Sequence, residues 1–323
     1  MSISWLIPVR DGAEWLAESV GSALAQCEAG DEVVVVDDGS TDHPEAVLPA
    51  DSRIVLHHQP PLGITAALEA GRAIASGDLI ARLDADDVAL PGRIAAQKIA
   101  LAADPGLVAV GGQAQLVGSL GMGMDRYVAW INGLRDLHTA LLVESPLFHP
   151  AVTLRADVLD AVGGWRDGDF PEDYDLWLRL VAAGHRIGAV ALPVVRIRDR
   201  PQRLTRTDPR YRRAAFTDLK MAHLAATRLT TPQRVVVWGA GRGGRPWIRW
   251  LLSQGHTVPV VIDLFVRTQR QGVDVVAPEQ IVGLALDCLI VAVGARGARA
   301  EIRRLLSEVR PDLEEGVDWI AVC

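Results

Sequence analysis

The chain of 323 residues has few cysteines and no excess of positive charge. Its three cysteines, Cys27, Cys288 and Cys323, are scattered, and no two have the spacing of metal ligands. Reduced thiols in a cytosolic compartment are the simplest interpretation. The net charge of −7 argues against a nucleic-acid partner.

The sequence also has no apolar run long enough to cross a membrane. The longest stretch, near Leu284–Ala295, contains Asp287 and is shorter than the roughly 20 residues that a bilayer requires. The first residues, MSISWLIPVRDG, have no basic region, so they do not resemble a signal peptide. We therefore expect a cytoplasmic protein, and peripheral contact with the inner face of the membrane stays open.

What is present is a regular alternation of strands and helices. The length favours two domains, and 49% apolar residues are enough for ordinary buried cores. Short apolar runs alternate with helical patterns over about the first 110 residues, which predicts a doubly wound α/β layout. The predicted strands are Ile3–Ile7, Val33–Val36, Arg53–His57, Asp78–Leu83 and Leu107–Val110.

The later part of the chain predicts a second, smaller α/β domain. We expect residues 1–208 to form the first domain, 209–231 a helical linker and 232–323 the second domain. The arginine-rich segment Arg196–Arg213 is predicted to be a loop that leads into the linker helix.

The second domain contains a glycine pattern that is typical of dinucleotide binding. Gly239, Gly241 and Gly244 follow a predicted strand and open a helix, and Asp263 comes nineteen positions after Gly244. This context indicates a second nucleotide site. Tight glycine turns also serve helix–strand packing, and no residue set for hydride transfer accompanies the pattern.

The first acidic cluster ends a strand of four valines, in VVVVDDGSTD (Val33–Asp42). Carboxylates at such a strand end lie where open α/β sheets bind ligands, so Asp37 and Asp38 could accept hydrogen bonds from a base or ribose. The alternative is a pair of turn acids before the next helix, with Ser40 or Asp42 as its N-cap.

The second acidic cluster, LDADD (Leu83–Asp87), also follows a strand. In extended backbone Asp84 and Asp86 point the same way. Carboxylates plus phosphate oxygens suit Mg²⁺, and three acids within four residues repel one another unless a cation is present. The alternative is an acidic turn before the helix at Pro91.

The third acidic cluster, PEDYDLW (Pro171–Trp177), opens a predicted helix, Glu172–Ala183. One of its acids could act as a general base, provided that it lies within hydrogen-bond reach of the attacking hydroxyl. Acids in a first helical turn also suit the helix dipole, so capping is the alternative.

The three clusters, in this order, resemble the family 2 glycosyltransferases of the GT-A fold. The resemblance covers roughly Ser2–Thr207 and includes the run FHPAVTLRADVLDAVGGWRDGDFPEDYDLWLRL (Phe148–Leu180). Arg10 and Glu69 depart from it, since each stands where the family often has asparagine. The resemblance implies a GT-A-type doubly wound mixed sheet, here followed by a small Rossmann-like α/β domain.

The resemblance also implies how a nucleotide-diphosphate sugar donor binds. Pro8 and Val9 would line the base pocket, and Asp38 would contact the base or ribose. Arg82 would reach the ribose or phosphates. Asp84 would hold the ribose or the sugar.

The implied chemistry is inverting transfer of a sugar by single displacement. Asp86 would bind Mn²⁺ or Mg²⁺, and Asp173 would be the catalytic base, with Glu172 beside it near the acceptor. The acceptor would be a saccharide or a lipid-linked saccharide. Assembly of cell-surface polysaccharide or lipopolysaccharide is the implied setting.

Three further residues have two interpretations each. His149 and Trp165 could contact the acceptor or serve the core, and Arg203 could close over the diphosphate or lie on a solvated basic surface. The main alternative function is an NAD-dependent oxidoreductase or nucleotide-binding protein centred on the second domain. A nucleotidyltransferase would need a glycine-rich, basic loop after the first strand, where this chain has Pro8–Gly12 (PVRDG). A binding module with a degenerate site is disfavoured by the intact acids.

Overall fold

The structure, a computed structural model, describes residues 1–118, 121–266 and 268–323. These residues form two compact units. The first unit comprises Met1–Arg135 with Pro146–Ala215, and the second comprises Asp136–Ser145 with Phe216–Cys323. The segment Asp136–Ser145 thus groups with residues that follow it much later in the chain. The predicted domain limits at 208 and 232 stay predictions.

The first unit is built on a mixed sheet with the strand order β3-β2-β1-β4-β7-β6-β8-β5. Strands β3, β2, β1 and β4 run parallel, whereas β7 is antiparallel to β4 and to β6. The predicted α/β class with a mixed sheet is confirmed. The strands are β1 (Ile3–Val9), β2 (Glu32–Asp38), β3 (Ile54–Gln59), β4 (Leu79–Arg82), β5 (Val88–Ala89), β6 (Leu107–Val117), β7 (Thr153–Arg155) and β8 (Arg186–Arg198).

Helices cover the sheets of both units. In α1, Leu16, Val20 and Ala23 are buried at the spacing of one helical face, so that this face packs on the core. The helices are α1 (Ala13–Leu24), α2 (Ile64–Ile74), α3 (Arg93–Ala103), α4 (Met122–Asn132), α5 (Leu137–Leu141), α6 (Ala156–Ala161), α7 (Glu172–Ala182), α8 (Leu204–Thr207), α9 (Arg213–Thr227), α10 (Gly244–Ser253) and α11 (Ala298–Val309).

The four-valine strand is buried on both faces, as its lack of alternation predicts. In the parallel register, Val9 of β1 lies opposite Asp37 of β2, and Leu6 lies opposite Arg82 of β4. The ends of these strands therefore meet at one edge of the sheet. This edge carries the loops that hold the first two acidic clusters.

The arginine-rich segment is more ordered than predicted. Arg196–Arg198 completes β8, and the short helix α8 follows before a 3₁₀ turn at Pro209–Tyr211. The prediction of a loop was therefore wrong for Arg196–Arg198 and for α8, whereas the segment does lead into a helix, α9. Pro193 makes β8 difficult to recognise as a strand from the sequence. It lies opposite Gln113, where the register between β6 and β8 shifts.

The second unit has its own sheet, with the strand order β11-β12-β10-β9-β13-β14. The pairs from β12 to β14 are parallel, and β11 is antiparallel to β12. The strands are β9 (Val235–Trp238), β10 (Val261–Ile262), β11 (Gln269–Arg270), β12 (Val273–Val276), β13 (Cys288–Val291) and β14 (Trp319–Ala321). The name Rossmann-like for this unit stays a prediction. Among the described residues, we find no helix with the length and apolar character that crossing a membrane would need.

Candidate functional site

The loops after β1 and β2 are fastened to each other by side chains. Asp11 Oδ1 accepts hydrogen bonds from Thr41 N at 2.8 Å and Thr41 Oγ1 at 3.0 Å, and Ala13 N donates to Asp42 Oδ2 at 2.8 Å. Pro8 and Val9 are buried at the end of β1, directly before these loops. The predicted base pocket thus lies where two strand ends are held rigidly together.

Asp38 is buried at the end of β2, and its carboxylate organises the turn before α2. Oδ1 accepts hydrogen bonds from Gln59 Nε2 at 2.7 Å and Leu62 N at 2.8 Å, and Oδ2 accepts one from Gly63 N at 2.9 Å. Arg10 Nη1 lies 3.8 Å from Oδ2. The alternative of a structural turn acid therefore describes much of what this carboxylate does, and its contact with a donor stays a prediction.

The acids of the second cluster do lie together, with a third member, but the backbone there is a turn and not extended as expected, since Asp87 N donates to the Asp84 carbonyl oxygen at 3.1 Å. Asp84, Asp86 and Asp87 each offer a carboxylate oxygen, and these oxygens lie within 4.8 Å of one another. Asp87 is fully buried, and its Oδ2 has no hydrogen-bond partner among the described residues. Burial, together with the charges of Asp84 and Asp86, raises the pKa of Asp87 well above its ordinary value. Three hard oxygen donors, one of them without a partner, fit a divalent cation such as Mg²⁺ or Mn²⁺.

Arginines of the segment after β8 surround this acidic cluster. Arg200 reaches Asp86 Oδ2 with Nη2 at 2.7 Å and Nε at 2.8 Å. Arg198 donates to the Asp86 carbonyl from Nη1 at 2.6 Å. Burial lowers the pKa of Arg203, but the charges of the three acids outweigh burial and raise it. Arg203 Nη1 donates to the Arg198 carbonyl oxygen at 3.0 Å, and its contact with a diphosphate stays a prediction.

Arg82 links the acidic cluster to the third acidic motif. It is buried, its Nη1 lies 2.5 Å from Asp84 Oδ1, and its Nε has no hydrogen-bond partner among the described residues. Its charge contributes to the lowered pKa of His149 and opposes the rise in the pKa of Asp173. Arg82 therefore acts electrostatically on the third acidic motif while it contacts the second.

Asp173 stands in the first turn of α7 and is partly exposed. Its Oδ1 accepts a hydrogen bond from Tyr174 N at 2.7 Å. Burial, followed by the negative charge of Glu172, raises the pKa of Asp173 to about 8. A carboxylate with such a pKa and access to solvent has the properties of a general base near neutral pH.

Glu172 has a different environment, although it is the adjacent residue. It is buried, and Oε2 accepts a hydrogen bond from Tyr211 Oη at 2.8 Å, whereas Oε1 lies 3.6 Å from His149 Nδ1. Burial raises the pKa of Glu172, but His149 and Tyr211 outweigh it, so that the pKa lies below its ordinary value. Contact of Glu172 with an acceptor stays a prediction, and its present partners are internal.

His149 and Trp165 are both buried and bonded to each other. Trp165 Nε1 donates to His149 Nε2 at 3.0 Å. The backbone N of Trp165 donates to Glu69 Oε1 at 2.6 Å. Glu69, which stands where the family often has asparagine, therefore holds the backbone of Trp165. This geometry favours the structural interpretation of both aromatic residues, and acceptor contacts stay predictions.

Sequence reasoning did not single out several residues that shape the site. Arg93 is fully buried and donates to the carbonyl oxygens of Arg82, Pro150 and Val152, at 2.7, 2.8 and 3.2 Å. Its only signal in the sequence is its place just after Pro91-Gly92. Asp87, Arg200 and Tyr211 were likewise not assigned roles. Of the three, only Asp87 is indicated by its neighbours in the sequence, because it directly follows Asp86.

The glycine pattern of the second unit lies at the carboxyl end of β9. A Cβ atom on Gly244 would lie 1.7 Å from the Gly239 carbonyl oxygen, whereas one on Gly241 would meet nothing within 4 Å. Asp263 Oδ2 accepts a hydrogen bond from Ala240 N at 2.7 Å, and Oδ1 accepts one from Phe265 N at 2.9 Å. Gly244 thus serves close packing and Asp263 holds the loops, while nucleotide binding at these residues stays a prediction.

Comparison with solved structures identifies the fold of the first unit. S. aureus TarS 1–349 in complex with UDP-GlcNAc is similar with a TM-score of 0.53 and 15% identity, over 71% of this chain and 68% of that one. The mannosyltransferase PcManGT from Pyrobaculum calidifontis, in complex with GDP-Man and Mn²⁺, has a TM-score of 0.52 and 20% identity, over 68% and 63%. The mixed α/β unit is therefore a GT-A glycosyltransferase fold.

Sequence comparison gives the family. Residues 4–127 match the model for Glycosyl transferase family 2. The chain is 26% identical over 196 residues to the amylovoran biosynthesis glycosyltransferase AmsE of Erwinia amylovora, covering 58% of this chain and 72% of the relative. It is 42% identical over 94 residues to the succinoglycan biosynthesis protein ExoU of Rhizobium meliloti, covering 28% and 27%. The chain is therefore similar to glycosyltransferase family 2 over residues 4–127 of its first unit.

Proposed function

We propose that this protein is a metal-dependent, inverting glycosyltransferase that moves a sugar from a nucleotide-diphosphate sugar to a hydroxyl of a saccharide or lipid-linked saccharide. The observation that carries the proposal is the convergence of Asp84, Asp86 and Asp87, whose oxygens lie within 4.8 Å of one another, with the buried Arg82 at 2.5 Å from Asp84 Oδ1. These residues offer oxygen ligands for a cation and a fixed positive charge, and Asp173 offers a carboxylate with a raised pKa. Each of these would assist transfer from a diphosphate donor.

The acidic cluster is the proposed cation site. Asp86 would hold Mn²⁺ or Mg²⁺, together with oxygens of Asp84 or Asp87. The cation, when bound, supplies Lewis-acid stabilisation of the leaving diphosphate. Arg203 and Arg200 lie on the segment beside the cluster, so that their positive charges would help to bind the phosphate groups.

Asp173 is the proposed base. Its carboxylate would take the proton from the acceptor hydroxyl while that oxygen forms a bond to the anomeric carbon. The bond between the anomeric carbon and the diphosphate oxygen breaks, and the diphosphate leaves with the electron pair. A single displacement of this kind inverts the anomeric centre. General base catalysis of this type contributes about 10²- to 10⁴-fold.

The relatives support the biological setting. AmsE and ExoU are named for the biosynthesis of amylovoran and succinoglycan, and the two solved structures contain UDP-GlcNAc or GDP-Man. We therefore propose a nucleotide-sugar donor and a role in the assembly of cell-surface polysaccharide or lipopolysaccharide. We also propose peripheral contact with the inner face of the membrane, where a lipid-linked acceptor would lie.

Two substitutions test the proposal. Asp86→Ala and Asp173→Asn should each abolish transfer from the donor identified by screening nucleoside diphosphates with Mn²⁺ for a rise in thermal stability. Asp173→Asn should keep nearly normal donor binding, because the base contacts the acceptor. Asp157→Asn, an exposed acid on α6, is the matched control and should behave as wild type. Near-normal turnover by Asp173→Asn would refute the base.

A further inference from the structure

We propose that Glu172 is a positioning residue, held in its ionised form by Tyr211 and His149, which keeps a fixed negative charge beside Asp173. This inference rests on the proposed function of Asp173 as the base. It assigns a role to Tyr211, which lies outside the three acidic motifs.

The four side chains form a connected row with a defined direction. Trp165 Nε1 can only donate, so His149 Nε2 at 3.0 Å must accept. The proton of a neutral imidazole then stands on Nδ1, which faces Glu172 Oε1 at 3.6 Å. On the other side, Tyr211 Oη donates to Glu172 Oε2 at 2.8 Å. Both carboxylate oxygens of Glu172 therefore face proton donors.

Burial separates three members of this row from any acceptor, while Tyr211 is half-buried. Glu172 is 3% exposed, His149 7% and Trp165 2%. A buried carboxylate is stable in its charged form only when hydrogen bonds satisfy it. Burial and the charge of Arg82 lower the pKa of His149, so that the imidazole is neutral and Glu172 carries the charge of the pair. The row thus keeps Glu172 ionised and immobile.

The charge of Glu172 acts on the next residue along the chain. After burial, it is the largest cause that raises the pKa of Asp173, whereas the Tyr174 N–H and the charge of Arg82 oppose it. Burial and the charges of Glu172 and Asp173 raise the pKa of the Tyr211 phenol, so that it keeps its proton and remains a donor. A base is most effective when its pKa lies near the working pH, so the charge of Glu172 adjusts Asp173 for its task.

Tyr211 is itself held by its own turn. Asp208 caps this turn by accepting a hydrogen bond from Arg210 N at 2.9 Å, and Arg210 Nη1 donates to Thr65 Oγ1 at 3.2 Å. The turn lies within the arginine-rich segment Arg196–Arg213, whose Arg200 contacts Asp86. Tyr211 therefore connects that part of the chain to the residue beside the base.

The test is Tyr211→Phe in the full chain, which removes one hydroxyl. We expect kcat to fall about tenfold with an unchanged KM for the donor, as for loss of one hydrogen bond to a charged group. Without the Tyr211 hydroxyl, Glu172 takes up a proton more easily, so that its charge raises the pKa of Asp173 less. The acidic limb of the kcat/KM pH profile should therefore move to lower pH. Glu172→Gln should move the limb in the same direction and further. Tyr127→Phe is the control and should leave the limb in place.

Two results would overturn the inference. One is an unchanged pH limb in Tyr211→Phe and in Glu172→Gln, even where activity or thermal stability falls, since that is the behaviour of a merely structural contact. The other is normal kcat in both variants. If Tyr211→Phe does not fold, Glu172→Gln alone decides between these outcomes. Failure of the proposed function is distinguishable, because it appears as retained turnover in Asp173→Asn.

Discussion

At the scale of single residues, the site depends on two adjacent carboxyl groups with opposite pKa shifts. Glu172 is buried among donors and has a lowered pKa, while Asp173 is partly exposed with a pKa raised to about 8. Different environments of neighbouring acids are a usual way to separate their roles. The motif PEDYDLW alone could not distinguish the two, because their partners His149 and Tyr211 lie elsewhere in the sequence.

The first prediction concerns pH. If Asp173 is the base, it acts only when deprotonated, so kcat/KM of the free enzyme should rise as pH increases through about 8. Below that pH the rate should fall about tenfold for each pH unit, in proportion to the deprotonated fraction. Initial rates between pH 5.5 and 9.5 check this, with donor binding measured at each pH as the control. A flat profile from pH 6 to 9 contradicts it.

The acidic residues show how far sequence reasoning reaches at this scale. Asp84 and Asp86 lie close together because they are near in the sequence, but a turn between Asp84 and Asp87 brings them together and not the extended backbone that was expected. The partners of Asp38 are not predictable from its neighbours, since Gln59 and Gly63 are more than twenty residues away. The sequence therefore indicates which acids are neighbours, but neither the backbone that joins them nor the distant partners of a buried carboxylate.

At the scale of elements, α3 organises the edge of the sheet through its first residue. Arg93 donates to carbonyl oxygens at the end of β4 and in the segment after His149, and its guanidinium lies 4.9 Å from the centre of the Trp5 ring. Burial lowers its pKa to about 9. One side chain therefore fixes the strand that carries Arg82 and the segment that carries His149.

The second prediction follows from this contact. Arg93→Met should lower the free energy of unfolding by about 3–5 kcal/mol, because it leaves several buried carbonyl oxygens without donors. Urea denaturation of the full chain measures the change. Lys98→Met, on the same helix, removes a partly exposed cation that lies 3.3 Å from Glu28 Oε2, and should cost about 1 kcal/mol or less. Equal losses in the two variants would contradict a special role for Arg93.

Strand β8 shows why some elements are hidden in the sequence. Its residues Arg186–Arg198 include Gly188 and Pro193, and both residues argue against a strand inside a sheet. The structure accommodates Pro193 at a register shift opposite Gln113. A bulge depends on the neighbouring strand, so reading β8 alone could not reveal it. The helix α11 (Ala298–Val309) needs no such partner, because its buried residues Ile302 and Leu306 already show the spacing of one helical face in the sequence.

At the scale of the whole molecule, the described residues form a first unit that contains the candidate site and a second unit to which no function is assigned. The proposed transfer residues, from Pro8 to Tyr211, all belong to the first unit. Family resemblance predicted the fold of that unit because its motifs recur in a fixed order. The insertion of Asp136–Ser145 into the second unit has no such signal, since the segment is remote in sequence from the rest of that unit.

The third prediction separates the glycines of the second unit. Gly244→Ala should lower stability by about 1–3 kcal/mol, because its Cβ would meet the Gly239 carbonyl oxygen. Gly241→Ala should be tolerated, because the space around it is open. Thermal unfolding and limited proteolysis of the full chain measure both, and cleavage should increase within the second unit only.

The same two variants report on nucleotide binding. A rise in thermal stability with NAD or a nucleoside diphosphate that is lost in Gly241→Ala, but kept in Asp86→Ala, would indicate a separate nucleotide site in the second unit. Donor binding by the first unit should be normal in Gly241→Ala. Equal stability of Gly244→Ala and wild type would show that the close approach to Gly239 does not determine the fold of this unit.

The contact between Arg200 and Asp86 means that the acidic cluster already has a resident countercharge. A divalent ion that approaches Asp86 Oδ2 must displace a guanidinium group, so its entry is an exchange of cations and its affinity is set by competition. The displaced group stands on the same short segment as Arg203. Under the proposed function, binding of an ion would therefore release the Arg200 guanidinium beside Arg203, where it could interact with the phosphate groups of the donor.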